Sequence, residues 1–326
     1  MPQTIAESHV SAALRAAEDP EASPEERAEM LMEIAMGLQS QPKSRQQLLD
    51  AVSLYERALQ QGPSALLAAR IRSRMGTALQ SIPDEGPEVL KRARACYEEA
   101  LPELREGGRA EEVAELQLNL GLTIQALSAL GMARLQDALE CYHRALKVFV
   151  RETHPQEFAI LHNNLAIAYL AIPATDERAR MREALAVQSF EEVLKVINLV
   201  DHPSEYAMVQ NNLGNALQYA ATGHSLDNNL RALAAYEEAL KVRNPRTTPV
   251  EYANTIANMA NVLRNLAKAA AGDEDPLARA LSLYEEARQI YVGNSLTERA
   301  EMMTVAIAET FAGEKEEAEN RAVRSA

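Results

Sequence analysis

Tryptophan is absent from this chain of 326 residues, and only four phenylalanines and ten tyrosines make up its aromatic content. Strong binding hot spots draw on Trp, Tyr and Arg, so this supply points to a weak or transient contact surface. Cysteine is as scarce. Cys96 and Cys141 each directly precede a tyrosine of the repeating pattern described below. They read as small core-facing residues. Equivalent points on neighbouring packed helices lie about 8–10 Å apart, too far for a disulfide, which wants Cα atoms within ~7 Å. A reducing compartment, the cytoplasm, is the expectation. No charge-free apolar run of about 20 residues appears, which excludes a membrane-spanning helix. Met1 to Pro20 lacks a basic segment followed by an apolar core, so no secretory signal is read. A basic surplus is missing too. The net charge is −14 and the pI about 5.0, which argues against nucleic acid and anionic membrane as partners, because both need clustered Lys and Arg. There is no glycine-rich phosphate loop, nucleophile elbow or zinc motif. The six histidines do not cluster at metal-ligand spacing. Adjacent Glu-Glu pairs diverge by about 100° on a helix and cannot share a substrate. No catalytic residue, metal or cofactor is therefore expected. Val/Ile alternation, the mark of strands, is also missing.

What the chain does have is a drifting period. Tyr55-Glu56-Arg57-Ala58-Leu59 returns at Tyr97, Tyr142, Phe190, Tyr236 and Tyr284, rings that stand 42, 45, 48, 46 and 48 residues apart. A second theme runs in step, a small residue after a long apolar one: Ala35, Gly76, Gly121, Ala166, Gly214, Ala260 and Ala308. Two motifs sharing one period mean a stacked array of two-helix units. Helix A carries the small residue and helix B the ring, which fills the gap left by the missing side chain.

Helix A starts are announced by Ser23-Pro24-Glu25-Glu26, an N-cap, a first-turn proline and a capping-box Glu. Thr248-Pro249-Val250-Glu251 repeats it, and His154-Pro155 and His202-Pro203 do so with His at the cap. The pattern predicts an N-terminal helix near 4–18 and A helices near 24–39, 64–81, 110–129, 155–171, 203–221, 249–270 and 297–312. B helices are predicted near 43–61, 87–105, 134–151, 178–198, 227–243 and 277–291. Residues 1–22 read as a terminal cap, 23–312 as one array and 313–326 as a polar tail, either a short solvated helix or disordered. The helix-B Glu pairs are expected in solvent.

Asn212-Leu213-Gly214-Asn215-Ala216-Leu217, followed by Ala232, Tyr236 and Ala239, resembles the tetratricopeptide repeat. Five further units fit, among them Gly121 with Ala138, Tyr142 and Ala145, and Ala260 with Ala280, Tyr284 and Ala287. The units run longer than the family's 34 residues and look more like those of kinesin light chains and of arrays that accompany CHAT domains. The family's early helix-A aromatic is replaced by Arg72, Gln117, His162, Gln210 and Ile256. The resemblance implies an all-α, right-handed α-solenoid of about six helix-turn-helix repeats plus an extra terminal helix. It also implies a non-enzymatic scaffold or adaptor that takes a protein or peptide segment in a concave groove lined by A helices.

Asparagine recurs on the A helices at Asn119, Asn163, Asn164, Asn211, Asn212, Asn215, Asn254, Asn258, Asn261 and Asn265. Carboxamides donate and accept, so a spaced row can pair with the backbone of an extended peptide whatever its sequence. The same residues can instead tie turns and adjacent helices together. The resemblance favours Asn163, Asn211, Asn215 and Asn261. Arg70 and Arg74 lie one turn apart, and Arg264 sits beside the Asn row. A guanidinium suits a carboxylate, although Met32 and Met36 replace the remaining members of a carboxylate clamp, and pairing with helix-B Glu is the alternative. Self-assembly into a homo-oligomer, with the amphipathic N-terminal helix (Ile5, Val10, Leu14) docking in a groove, is the second functional expectation.

Overall fold

The computed structural model describes residues 21–83, 86–173, 178–220, 225–267 and 276–325, with side chains described up to residue 312. The expected helix at 4–18, most residues of three connecting turns, His9 and His224 lie outside the described residues. Thirteen helices and no strand occur among those described. None of these helices is long and apolar enough to cross a membrane. The chain divides into two compact units, Met1–Asn164 and Leu165–Ala326.

The first unit holds α1 (Pro24–Ser40), α2 (Arg45–Gln60), α3 (Ala65–Gln80), α4 (Pro87–Gly107), α5 (Ala110–Ala129) and α6 (Leu135–Ala145). Helix α7 (Pro155–Ala171) contains the division between the units. The second unit continues with α8 (Ala179–Val193), α9 (Pro203–Tyr219), α10 (Ser225–Leu240), α11 (Pro249–Ala267), α12 (Pro276–Gly293) and α13 (Thr297–Ser325). In the first unit α1 packs on α2, α3 on α4 and α5 on α6, each pair then packing on the next. In the second unit α9 packs on α10 and α11 on α12, with α13 following on α12. Each unit is thus an all-α stack of helix pairs.

The seal of each pair is the ring against the small residue. A Cβ placed on Gly76 would stand 2.8 Å from the Tyr97 ring. One on Gly121 would stand 2.5 Å from Tyr142, and one on Gly214 2.5 Å from Tyr236. All six repeat rings are fully buried. Each tyrosine among them also donates its hydroxyl to helix A of its own pair. Tyr55 reaches Gln39 Oε1 (2.7 Å), Tyr97 reaches Gln80 Oε1 (3.1 Å) and Tyr142 reaches Gln125 Oε1 (2.9 Å). Tyr236 reaches Asn215 Oδ1 (2.7 Å) and Tyr284 reaches Asn261 Oδ1 (2.6 Å). A buried phenol needs such an acceptor. Where the ring is Phe190, the positions matching Asn215 and Gln218 carry Ile167 and Leu170.

Ser23 forms the expected capping box with Glu26. His202 at the start of α9 makes no side-chain cap, and the His154 ring bonds to the Thr153 hydroxyl instead. An imidazole lacks the short oxygen arm that reaches the N2 or N3 amide. The expected extensions of the third, fourth and fifth B helices to 151, 198 and 243 also differ: α6, α8 and α10 end at Ala145, Val193 and Leu240. Tight turns follow. Asn198 Oδ1 accepts from the Val200 and Asp201 amides, and Asn244 Oδ1 from those of Arg246 and Thr247. These side chains offer the backbone an alternative to helix. At the other end, α13 continues through the stretch read as a polar tail.

The helix-B glutamates are not simply solvated. Glu56 pairs with Arg92, Glu191 with Arg231 (2.6 Å) and Glu237 with Arg279 (3.6 Å). Each pair joins the residue after one repeat ring to the residue five before the next ring. Cys96 and Cys141 are buried free thiols, and burial pushes both up to about 11.

Candidate binding face

An α-helix repeats its face at i, i+4, i+7 and i+11. On α9 that stripe reads Met208, Asn212, Asn215 and Tyr219; on α11 it reads Asn254, Asn258, Asn261 and Asn265. The two A helices touch directly, so the stripes are neighbours within the second unit. Met208 is 42% and Tyr219 67% exposed. Asn265 is exposed, while Asn212, Asn215, Asn254, Asn258 and Asn261 are half-buried. Neither stripe carries a charged side chain.

The asparagines divide by what holds them. Asn211 is buried with its Oδ1 3.2 Å from the Thr255 hydroxyl on α11, whose single proton has a nearer acceptor in Glu251 O (2.9 Å). Thr255 also accepts from Arg243 (2.8 Å). Asn215 and Asn261 give their carbonyls to the repeat tyrosines. Asn254 Oδ1 accepts from the Tyr291 hydroxyl and from Arg299, each at 2.8 Å. Asn212, Asn258 and Asn265 make no side-chain hydrogen bond among the described residues. On α7, Asn164 donates to its own helix at Ile160 O (2.8 Å), and the Asn163 Oδ1 is buried without a partner.

The arginines are engaged. Arg70 reaches Glu112 through two nitrogens at 2.8 and 3.2 Å, and Arg74 reaches Glu115 at 3.0 Å. Both partners lie on the next A helix, α5, rather than on a B helix. Of this cluster only Arg72 pairs with a B helix, at Glu99 (3.1 Å). Arg264 pairs with Glu309 at 3.3 Å. Burial pulls the Glu112 carboxyl up. The Arg70 hydrogen bond and the Arg109 amide outweigh it, and the group stays below the usual carboxylate range. A carboxyl with a lowered folded-state pKa contributes stability above its unfolded value and loses it as pH falls through the folded one. Acid unfolding followed by circular dichroism should therefore begin at higher pH in the wild-type chain than in Glu112→Gln, measured relative to each protein's own neutral stability. Equal relative profiles would contradict this linkage.

Among the described residues no group of three His, Cys, Asp or Glu side chains is placed to hold a metal ion. A shallow cleft of about 180 Å³ lies among α8, α9 and α10. The cation lining it, Arg231, is already paired with Glu191.

The fold is tetratricopeptide-like. That statement rests on the period, the helix pairing and the contact between small residue and ring. No family model matches the chain, and no curated protein matches it. Among solved structures, BtubC (BKLC) from P. vanneervenii is 21% identical, over 76% of this chain and 97% of that one, with a TM-score of 0.49. The TPR2AB domain of yeast Sti1, solved as a complex with pHSP90, is 16% identical over 87% of this chain and 98% of that one, with a TM-score of 0.29. The human IFIT1 dimer with PPP-AAAA is 15% identical over 94% of this chain and 69% of that one, with a TM-score of 0.39. At these values no residue role is transferred from them.

Proposed function

We propose that this repeat protein is a non-enzymatic interaction module that holds an extended polypeptide segment on the α9–α11 face. The observation that carries the reading is the double stripe itself: eight positions without a charged residue, six of them carboxamides, with exposed Met208 and Tyr219 at the ends of one stripe and the exposed Arg299 guanidinium touching the other at Asn254. Amides spaced along a helix pair with a peptide backbone, and an apolar residue at one end with a ring at the other give side chains a place to rest. Arg70, Arg74 and Arg264 are spent on ion pairs within the array and contribute structure on this reading. With amides as the main contacts, the affinity is on the order of micromolar, about −8 kcal/mol.

The test is selection of short random peptides on the full chain, followed by titration calorimetry. The selected peptide should bind with little dependence on salt, since few charges are neutralised. The double substitution Asn212→Leu/Asn258→Leu should weaken it by about tenfold or more, or ~1.4 kcal/mol. Failure to select any peptide, or a binder indifferent to both substitutions, would refute the reading.

One observation favours self-association as a second reading. Helix α13 exposes Met302, Val305 and Phe311, each more than half accessible. Ala308, at the small-residue position, is exposed too, whereas its six counterparts are buried. On this reading, sedimentation equilibrium should show a mass that rises with concentration, and Phe311→Glu should abolish the rise. A concentration-independent monomer mass would remove it.

A further inference from the structure

Three asparagines of the double stripe have one end already committed. Tyr236 donates to Asn215 Oδ1 at 2.7 Å, with Gln218 Oε1 farther at 3.1 Å. A phenol has one proton to give, so the nearer carbonyl takes it. Tyr284 donates to Asn261 Oδ1 at 2.6 Å. Asn254 Oδ1 receives two donors, the Tyr291 hydroxyl and an Arg299 nitrogen. Burial raises all three phenols above their usual range, so they remain protonated donors at neutral pH. Turning either Asn254 or Asn261 end for end would leave a buried hydroxyl proton without its acceptor, which costs more than the bond itself yields. The oxygen and nitrogen of a carboxamide sit on opposite arms, so a carbonyl held against the tyrosine leaves the nitrogen pointing away from it. No described residue accepts from Nδ2 of these three asparagines.

We propose that Tyr236, Tyr284 and Tyr291 are positioning residues for the binding face. Tyr284 and Tyr291 hold Asn261 and Asn254 carbonyl-inward and fix their nitrogens outward, and Tyr236 biases Asn215 the same way with Gln218 as its fallback acceptor, so the face presents donors and selects the main-chain carbonyl oxygens of an uncharged, extended segment. The inference rests on the polypeptide-binding reading above and adds a direction to it: the ligand accepts and the face donates. In the first unit Tyr55, Tyr97 and Tyr142 perform the same sealing task, but their hydroxyls go to Gln39, to Thr77 and Gln80, and to Gln125. They bind no asparagine of an A-helix stripe. The chain therefore contains its own control. It also tolerates a ring without a hydroxyl, at Phe190, which is fully buried.

The experiment compares two double variants of the full chain, Tyr236→Phe/Tyr284→Phe in the second unit and Tyr97→Phe/Tyr142→Phe in the first. The probe is an uncharged peptide selected from a random library lacking Asp, Glu, Lys and Arg, labelled for fluorescence polarisation. A second form of the probe has single backbone amides replaced by esters, which weakens individual carbonyl acceptors. Losing the orienting bond of two contact amides should lower affinity about three- to tenfold in the second-unit variant. The first-unit variant should stay within about twofold of wild type, while thermal denaturation shifts both variants by a similar amount. At least one ester should weaken binding to the wild type and lose that effect in the second-unit variant. If no peptide is selected, the polypeptide-binding reading falls and this inference with it. If a peptide binds and is lost in Asn212→Leu/Asn258→Leu but not in the second-unit variant, the reading stands and the positioning role is overturned. Equal losses in both tyrosine variants, or insensitivity to every ester, overturn it as well.

Discussion

Replacing Gly121 by valine should destabilise the first unit by about 3 kcal/mol or more, at or beyond the top of the usual overpacking range. A Cβ there would stand 2.5 Å from Tyr142 Cε1, 2.8 Å from Cδ1 and 3.1 Å from Cζ. The ring cannot swing aside cheaply. It is fully buried, and its hydroxyl is tied to Gln125. Either α5 and α6 separate or the ring leaves its site, and either movement opens the pair. Because each pair gains stability from the next, the loss should appear as a lower urea midpoint for the helices of the first unit. Valine is a better helix former than glycine by a few tenths of a kcal/mol, so propensity opposes the loss and cannot account for it. A partner substitution separates the causes. Gly121→Val combined with Tyr142→Leu should cost clearly less than the two single changes added, since shortening the ring relieves the overlap. Strict additivity, or a Gly121→Val protein within about 1 kcal/mol of wild type, would show that the ring does not seal the pair.

Tyr236→Ala should cost about 3–5 kcal/mol, the range for deleting a large buried ring. Tyr236→Phe should cost only about 1 kcal/mol, the net worth of one hydrogen bond. The ring is fully buried between α9 and α10 and covers Gly214, so its removal leaves a cavity lined by two helix backbones. The half-buried Asn215 and Gln218 lie close enough to the surface for water to take over the lost hydroxyl in the Phe variant. Chemical denaturation of both variants measures the difference. Equal costs would assign the stability to the hydroxyl rather than to the packing.

Much of this architecture could be read from the chain because its two repeating signals are physical complements. Rings such as Tyr97 recur in step with gaps such as Gly76, and neither has a reason to recur without the other. Capping residues such as Ser23 marked helix starts, since a hydroxyl beside a first-turn proline has little else to do. The ends of α8 and α10 were hidden. Leu194-Lys195-Val196 and Leu240-Lys241-Val242 continue a helical pattern, yet the backbone there tightens to three-residue hydrogen bonds before Asn198 and Asn244 bond amides two and three residues on. The positions where a tetratricopeptide repeat carries its early aromatic gave no hint of their neighbours: Gln117, Gln210 and Ile256 are buried there, and Arg72 reaches across to Glu99.

The proposed face was half legible. The asparagines stood out by their spacing, but which end of each amide is free depends on a tyrosine across the helix pair. A signal for it existed within the chain. Tyr236 faces Asn215 and Gln218, while the repeat built on Phe190 carries Ile167 and Leu170 at those places, a substitution of polar by apolar that follows the hydroxyl. Asn211 was a favoured contact, yet it lies buried with its carbonyl beside Thr255. Arg70 and Arg74 were read as candidates for a ligand carboxylate, with helix-B Glu as the alternative partners, whereas Glu112 and Glu115 answer them from the next A helix, one repeat length along.

The most direct test of the proposed face is hydrogen–deuterium exchange of the full chain with and without a selected uncharged peptide. Side-chain contacts along α9 and α11 should slow exchange in peptides covering 208–219 and 254–265 and leave α3, α5 and α13 unchanged. Protection confined to α3 and α5, to α13, or to the B helices would contradict the account, whatever the affinity of the peptide.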